Sequence, residues 1–340
     1  MSLARAIATG DLAELPSRRD EDWRWTDLRG LIRQLPPPSL PFVGDVGAGP
    51  FDAIAGRTVV IANGRLDGAL ALPPAPAALA LRAIGRGDGA HAGAHRLQVD
   101  GRLTLLESYE GHGDYVSETH LTLDVRAGGE LERIVLCDEP ENAVSVIRAD
   151  VALAPGARFA QTVIAAGARR QRIETHVRHG GGGASARLDG VYLLGGRRHA
   201  DITTVVVHAE PGGATQQLTK GVVQDQARGV FQGRIVVEPG ADRTDAKMGH
   251  HALILSDRAE VDAKPELEIF ADDVACAHGN TVGALDEAAL FYAAQRGIPE
   301  PQARAMLTEA FLGEAIDRIG HEGARDIVRA WTAARLRAAP

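Results

Sequence analysis

Cysteine is nearly absent: Cys137 and Cys276 are the two thiols in 340 residues. Two thiols cannot staple a disulfide-rich scaffold. They also fall short of the four thiolates that usually hold one iron–sulfur cluster. Aromatic residues make up 4% and lysine occurs three times against thirty-four arginines, with alanine and glycine abundant, the composition of a GC-rich genome rather than of a particular chemistry. No apolar run approaches the ~20 residues of a membrane-spanning helix. No Gly-rich loop of the Walker type is present, which excludes an ATP site of that kind. Excess positive charge is missing too: the formal net charge is −8, which argues against nucleic acid as the main partner. The opening MSLARAIATG has an arginine in its middle and no long apolar core, so we expect no signal peptide and a cytoplasmic location.

What remains is a globular composition, 45% apolar and 24% charged, with length enough for a sizeable core. Residues 3–34 read as helical, in two pieces. Pro16-Ser17 opens the second, with Ser17 as an expected N-cap and acidic residues 20–22 near the positive end of the dipole. The stretch 36–50 is Pro- and Gly-rich and reads as a linker, Thr58–Ala62 as a short strand ending in an Asn63-Gly64 turn, and 71–78 as a loop.

From about 95 to 275 short stretches alternate apolar and polar residues, the period of a half-buried strand. They end at turns containing Gly101, Gly128, Gly156, Gly182, Gly212 and Gly240, spaced 27, 28, 26, 30 and 28 residues apart. An internal period near 28 without helical periodicity points to stacked strand-and-turn coils, a β-helix. An antiparallel β-sandwich also spaces strands regularly, but the repeat favours the β-helix. Helical periodicity returns after 283: Asp286 caps a segment ending at Gly297, Pro299 opens a second with a stripe of Ala303, Met306, Leu307, Ala310 and Phe311, and a third spans about 322–337. The expected domains are 1–50, an N-terminal helical region and linker; 51–282, a β-helix core; and 283–340, a C-terminal helical region.

The four-glycine run after His179 sits at a corner of the repeat and reads as a turn rather than a phosphate cradle. His91 and His95 have the i, i+4 spacing of a helical metal pair, but their Gly-rich surroundings suggest a solvated loop. The adjacent His250 and His251 would face opposite sides of a strand, and His112, His120, His176, His199 and His208 have no telling spacing. Cys137, ending the apolar run 134–136, reads as a buried inert thiol. Cys276 and His278 differ. Two apart on an extended segment, they share a face and could offer a thiolate and an imidazole to a borderline metal or form a nucleophilic pair. Two ligands do not close a four-coordinate site, so a metal there needs donors from elsewhere.

At this point the residues carry a resemblance. Leu253 to Phe311, with Ser256-Asp257-Arg258-Ala259, Lys264-Pro265-Glu266-Leu267-Glu268-Ile269, Cys276-Ala277-His278-Gly279, Phe291-Tyr292 and Arg296-Gly297-Ile298-Pro299, resembles the C-terminal block of the SufB/SufD family. Pro16 to Trp23 with Trp25-Thr26-Asp27-Leu28 resembles its N-terminal signature. The short chain and the Cys-x-His-Gly form resemble the SufD type; the SufB type reads Cys followed by an acidic residue. The resemblance implies a right-handed parallel β-helix flanked by helices, acting as a non-catalytic scaffold in iron–sulfur cluster assembly. It implies pairing with SufB through the β-helix and docking of the SufC ATPase on the C-terminal helices. A transient Fe–S cluster would form at the SufB–SufD interface, with reduced flavin associated with the complex and a homodimer when the chain is alone. It makes His278 the first candidate for an interface cluster ligand and Cys276 the second. Ala277 stands where many relatives have Ser. Two other readings are a β-helix enzyme acting on acidic polysaccharide, for which no aromatic ladder lines the repeat, and a hydrolase using Cys276 and His278, for which no oxyanion hole is evident.

Overall fold

The alternating stretches become strands in the computed structural model, which describes residues 1–42, 44–66, 70 and 77–338 (side chains to 337). In order these are β1 (Arg57–Ala62), β2 (Arg65–Leu66), β3 (Ala77–Arg86), β4 (Ala90–Val99), β5 (Arg102–His112), β6 (Val116–Val125), β7 (Glu130–Asp138), β8 (Val144–Leu153) and β9 (Arg158–Ala165). They continue as β10 (Arg170–His179), β11 (Ser185–Leu194), β12 (His199–His208), β13 (Ala214–Val223), β14 (Arg228–Val237), β15 (Thr244–Ile254), β16 (Glu260–Ile269) and β17 (Val274–Gly283). Strands fall alternately into two sheets. One has ten strands in the order β17-β15-β13-β11-β9-β7-β5-β3-β1-β2; the other has seven, β16-β14-β12-β10-β8-β6-β4. Each coil gives one strand to each sheet, and the stack makes a β-solenoid of about seven turns. Neighbouring coils pair in parallel throughout, with only the β1–β2 hairpin antiparallel among the described strands. A sandwich would need antiparallel neighbours, so the pairing decides for the β-helix.

The period read from glycines is the coil length: Val116 lies beside Val144, and Ala214 beside Asp245. Inward positions of successive coils form columns such as Leu123, Val151, Val177, Val206 and Ile235, all buried. Stacked branched side chains suit the pleated, narrow interior. At the corners, Gly128, Gly156, Gly212 and Gly240 take φ between +65° and +84°, a region that penalises a Cβ; at the four-glycine turn it is Gly183, not Gly182, that does so.

Several expectations are corrected. Stacked strands occur before the alternation near 95: β1 already pairs in parallel with β3, and β3 with β5, and 77–99 is rich in alanine and glycine, which hides the alternation. The proposed loop 71–78 has residues 71–76 outside the described set, and its last two residues already open β3. His91 and His95 lie on β4 rather than a loop; His91 Nδ1 sits 2.9 Å from Ser39 Oγ, and four residues along a strand span ~13 Å, too far to share a metal. The N-terminal region is far less helical than its pattern suggests: α1 (Leu3–Thr9), two 3-10 turns at Leu12–Glu14 and Glu21–Trp23, and a single turn, α2 (Leu28–Leu31). Ser17 caps no helix; its backbone N–H donates to Asp20, and Asp27 caps α2.

Tertiary contacts outweigh helix propensity there. The segment crosses the outer face of the seven-stranded sheet, where Arg172 stacks on Trp23 at 4.3 Å, donates to the Asp22 carbonyl at 2.8 Å and pairs with the buried Asp201 at 2.8 Å. His199 Nε2 lies 3.1 Å from the Trp25 carbonyl, and Lys264 of β16 reaches Glu21 at 2.8 Å. Gln232 of β14 also donates to the Asp22 carbonyl at 3.2 Å, so the N-terminal signature is a strap tied to four successive coils.

At the other end, α3 (Glu287–Gln295), α4 (Glu300–Ile316) and α5 (Glu322–Ala338) follow the solenoid. The Asp286 carboxylate accepts from Ala288 N–H, as the capping pattern required. Leu312, Ala315, Ile316, Ala324 and Val328 pack on Ile134, Ile164, Val191 and Val222 of the ten-stranded sheet. Asp189, buried beneath this layer, lies 3.1 Å from Arg318 and 3.2 Å from Arg187, and burial pushes its carboxyl up to about 6. The expected stripe on α4 is half right. Ala303 is buried, but Met306 is 50% exposed and Ala310 faces out, because the sheet takes the Thr308–Leu312–Ala315 side instead.

Burial also sets an acid limit. Desolvation lowers His179 to about 3 and His91, His199, His208 and His250 to about 4, against an ordinary value of 6.5. His179 and His208 stack at 4.1 Å with both Nδ1 atoms lacking a hydrogen-bond partner. The folded state therefore binds fewer protons than the unfolded one between pH 6.5 and about 4. Stability should be intact above 6.5 and fall as pH drops through that window, by roughly 3 kcal/mol for each histidine. Asp189 opposes this with the reverse sign below about pH 6. Urea unfolding at a series of pH values checks the sum; equal stability at pH 7 and pH 5 would refute it.

Candidate functional site

β17 is the last strand of the ten-stranded sheet and pairs with β15 on one side; among the described residues no strand lies on its other side. β16 ends the second sheet in the same way. The solenoid is therefore open at this end, and side chains that elsewhere would be roofed by a further coil are half or fully exposed.

Register places the candidates. Cys276 pairs with Ala246 and His278 with Met248, both inward and buried in β15. By the same parity Val274, Asn280 and Val282 continue the inward columns, while Ala275, Ala277 and Thr281 face outward. Cys276 packs partly against the core; burial, with Asp245 adding to it, pushes its thiol above the ordinary value, and a hydrogen bond from the Ala246 backbone opposes that rise. A thiol held this way stays protonated at neutral pH until a metal or a cationic neighbour displaces the proton. His278 is exposed at the rim. The structure thus brings the two sequence candidates onto one face of an edge strand.

Cys137, by contrast, is 0% exposed and its thiol is held well above the ordinary value by burial, an inert core residue as expected. His250 and His251 do face opposite sides of β15: His250 is fully buried, and His251 Nδ1 lies 2.7 Å from Thr281 Oγ1 on the outer face.

Two donors leave a coordination sphere half made. Among the described residues no group of three or more His, Cys, Asp or Glu side chains is placed to hold a metal ion. An Fe–S cluster carried here would be substrate, and its remaining ligands must come from outside this end of the chain. None of the cavities described includes Cys276 or His278; one of about 710 Å³ lies on the outer face of the ten-stranded sheet below the α4–α5 junction, between Arg102, Arg158, Phe159, Arg187 and His321.

The sequence reading missed two features of this region. One is Asn280, whose carboxamide bonds the buried His250. These residues are thirty apart, one coil length, so the repeat contained the signal once the register was known. The other is a pair of apolar exposures: Ile269 and Val282 at the open rim, 41% and 44% exposed, and Phe291, Tyr292 and Met306 on α3 and α4, between 50% and 68% exposed.

Comparison with known proteins gives the family. Residues 96–311 match the family model described as SUF system FeS cluster assembly, SufBD core domain. The chain is 32% identical over 235 residues to iron–sulfur cluster assembly protein SufD of Escherichia coli, covering 68% of this chain and 56% of that one. It is 27% identical over 350 residues to an iron–sulfur cluster assembly SufBD family protein of Mycobacterium tuberculosis, covering 91% of this chain and 86% of that one. It is 28% identical over 237 residues to the chloroplastic protein ABCI7 of Arabidopsis thaliana, half of whose length it covers. The chain thus spans little more than half the length of the Escherichia coli relative.

Proposed function

This chain belongs to the SufBD family of the SUF iron–sulfur cluster assembly system and is of the SufD type, and from that membership we propose that it is a non-catalytic scaffold subunit that lends part of a cluster site to a partner. The observation that carries the proposal is the open end of the solenoid. An unpaired edge strand presents a row of free backbone N–H and C=O groups, which a second sheet can continue, and this edge bears Cys276 and His278.

A SufB-type chain is the partner proposed for the edge, through its own β-helix. Joining two solenoids would bury Ile269 and Val282 and bring the partner's donors to a nascent cluster already holding His278 and, second, Cys276. A SufC-type ATPase is proposed to dock on the C-terminal helices, where Phe291, Tyr292 and Met306 stand out from α3 and α4. Two copies of this chain could satisfy the same edge when no partner is present. The cargo is a transient Fe–S cluster; reduced flavin is assigned to the complex and to no residue of this chain. No helix among the described residues is long and apolar enough to cross a membrane, and the cytoplasm is the proposed location. The polysaccharide reading has nothing to stand on: Tyr109, Tyr115 and Tyr192 of the solenoid are buried rather than displayed as platforms.

The test is co-expression with SufB-type and SufC-type subunits. The three chains should purify together, and His278→Ala should leave the complex assembled while iron and acid-labile sulfide fall several-fold. A chain that stays alone under co-expression would refute the scaffold reading. Unchanged iron and sulfide in His278→Ala would remove the site assignment.

A further inference from the structure

Asn280 lies two residues beyond His278 and four beyond Cys276, on the same face of β17. Along the strand Asn280 stands ~6.6 Å from His278 and ~13 Å from Cys276. The His278 side of a cluster held at the rim is therefore within reach of the Asn280 amide. What fixes that amide is behind it. Asn280 Oδ1 lies 2.7 Å from His250 Nδ1, and His250 Nε2 lies 2.9 Å from the Tyr192 hydroxyl. The imidazole is fully buried and stacks on Phe231 with centroids 4.7 Å apart and planes 2° from parallel. Two glycines on successive strands make room for Tyr192: a Cβ on Gly221 would fall 1.8 Å from its ring, and one on Gly229 2.4 Å from it.

Counting protons gives the relay a direction. A neutral imidazole has one donor and one acceptor. The Tyr192 hydroxyl is buried, and His250 is the hydrogen-bond partner described for it, so its proton goes to Nε2. The ring proton then sits on Nδ1 and donates outward, and Asn280 must answer with its oxygen. Its NH2 group is left on the solvent side, at the mouth of the solenoid. The reverse order would strand a buried hydroxyl proton, at a cost of ~1–3 kcal/mol.

We propose that Asn280, oriented by Tyr192 and His250, is a further residue of this site, donating amide hydrogen bonds to the sulfide or thiolate sulfur of the cluster that His278 and Cys276 help to hold. The inference rests on the scaffold reading above and adds a role that neither ligand performs. Cluster sulfur is electron-rich, and neutral N–H donors stabilise it without bringing a charge that would compete with iron for the ligands. Asn280 is thus a hydrogen-bond donor to the cargo, and His250 and Tyr192 are positioning residues.

The experiment uses the full chain and the co-purified complex. Nitrogen NMR of the full chain should find the His250 ring proton on Nδ1; a proton on Nε2 would overturn the relay. In the complex, Asn280→Asp keeps the shape but replaces the donor by an anionic acceptor, and iron and sulfide retained should fall about tenfold, the worth of a hydrogen bond to a charged group. Asn280→Ala should lose less. Tyr192→Phe, which frees the imidazole to change tautomer, should lie between Asn280→Ala and the parent and move the ring proton to Nε2 in part. Asn280→Asp keeps an acceptor oxygen for the His250 ring proton and should melt with the parent, whereas Asn280→Ala leaves that buried proton unpaired and should melt lower. Parental iron and sulfide in Asn280→Asp would refute the proposal. Should His278→Ala alone lose the cluster, the scaffold site stands and the Asn280 role falls; should both variants keep it, both readings fall.

Discussion

A chain carrying Ile269→Asp and Val282→Asp together should fold as the parent does and fail to co-purify with a SufB-type subunit. Both residues end inward columns at the open rim: Ile269 pairs with the buried Val237, and Val282 with the buried Ala252. In the separate chain they are 41% and 44% exposed, so a carboxylate there remains partly hydrated and costs little. Once a second solenoid covers the rim, each carboxylate loses water without gaining a cation. Burying an unpaired polar group costs at least ~2 kcal/mol, and two of them amount to a roughly thousandfold loss of affinity. Co-purification and sedimentation measure the pairing, and a thermal melt of the isolated chain controls for folding. Undiminished pairing with an intact fold would mean that the partner sits elsewhere and that this edge is not the interface.

The second large effect lies inside the solenoid. Arg133 and Glu107 are both wholly buried, joined at 2.6 Å through Nε and 2.7 Å through Nη2. Arg133 Nη1 also donates to Gln161 at 2.6 Å, and the Tyr109 hydroxyl donates to Glu107 at 2.9 Å. Removing the guanidinium in Arg133→Met leaves a carboxylate without its counter-ion in a low dielectric, and unfolding in urea should show a loss of about 3–5 kcal/mol. Arg133→Met combined with Glu107→Leu should recover most of it, because an apolar pair of similar volume carries no desolvation penalty; the Tyr109 hydroxyl, left without its acceptor, keeps ~1 kcal/mol of the deficit. The double variant being no more stable than the single one would show that the pair does not act as a unit. Cluster retention should follow neither change, since the pair is several coils from β17.

Much of the architecture was legible because a stacked coil repeats its own chemistry. The glycine period of about 28 survives in the register as the coil length. The Asp286 cap and the left-handed Gly297 mark the ends of α3 as a local rule would have them. Local pattern and structure part where a distant coil overrides a local preference. Residues 20–27 have helical polarity, yet Trp23 and Thr26 leave the helix for Arg172 and Asp201, more than 140 residues away. The α4 stripe differs from its pattern for the same reason: helical spacing offers two apolar sides, and which one the sheet takes is not written in the helix.

The candidate site divides in the same way. Strand parity by itself put Cys276 and His278 on one face, and the count of two thiols by itself said that this chain could hold only part of a cluster. Both follow from covalent geometry and composition, which need no partner strand. Only the tertiary structure decided that this face belongs to the last coil. It also showed that the Cys276 thiol is half sheltered, and that His250, one coil back, turns the Asn280 amide toward the opening. Those properties come from contacts between coils about thirty residues apart, and a linear pattern cannot fix them until the register of every coil has been set.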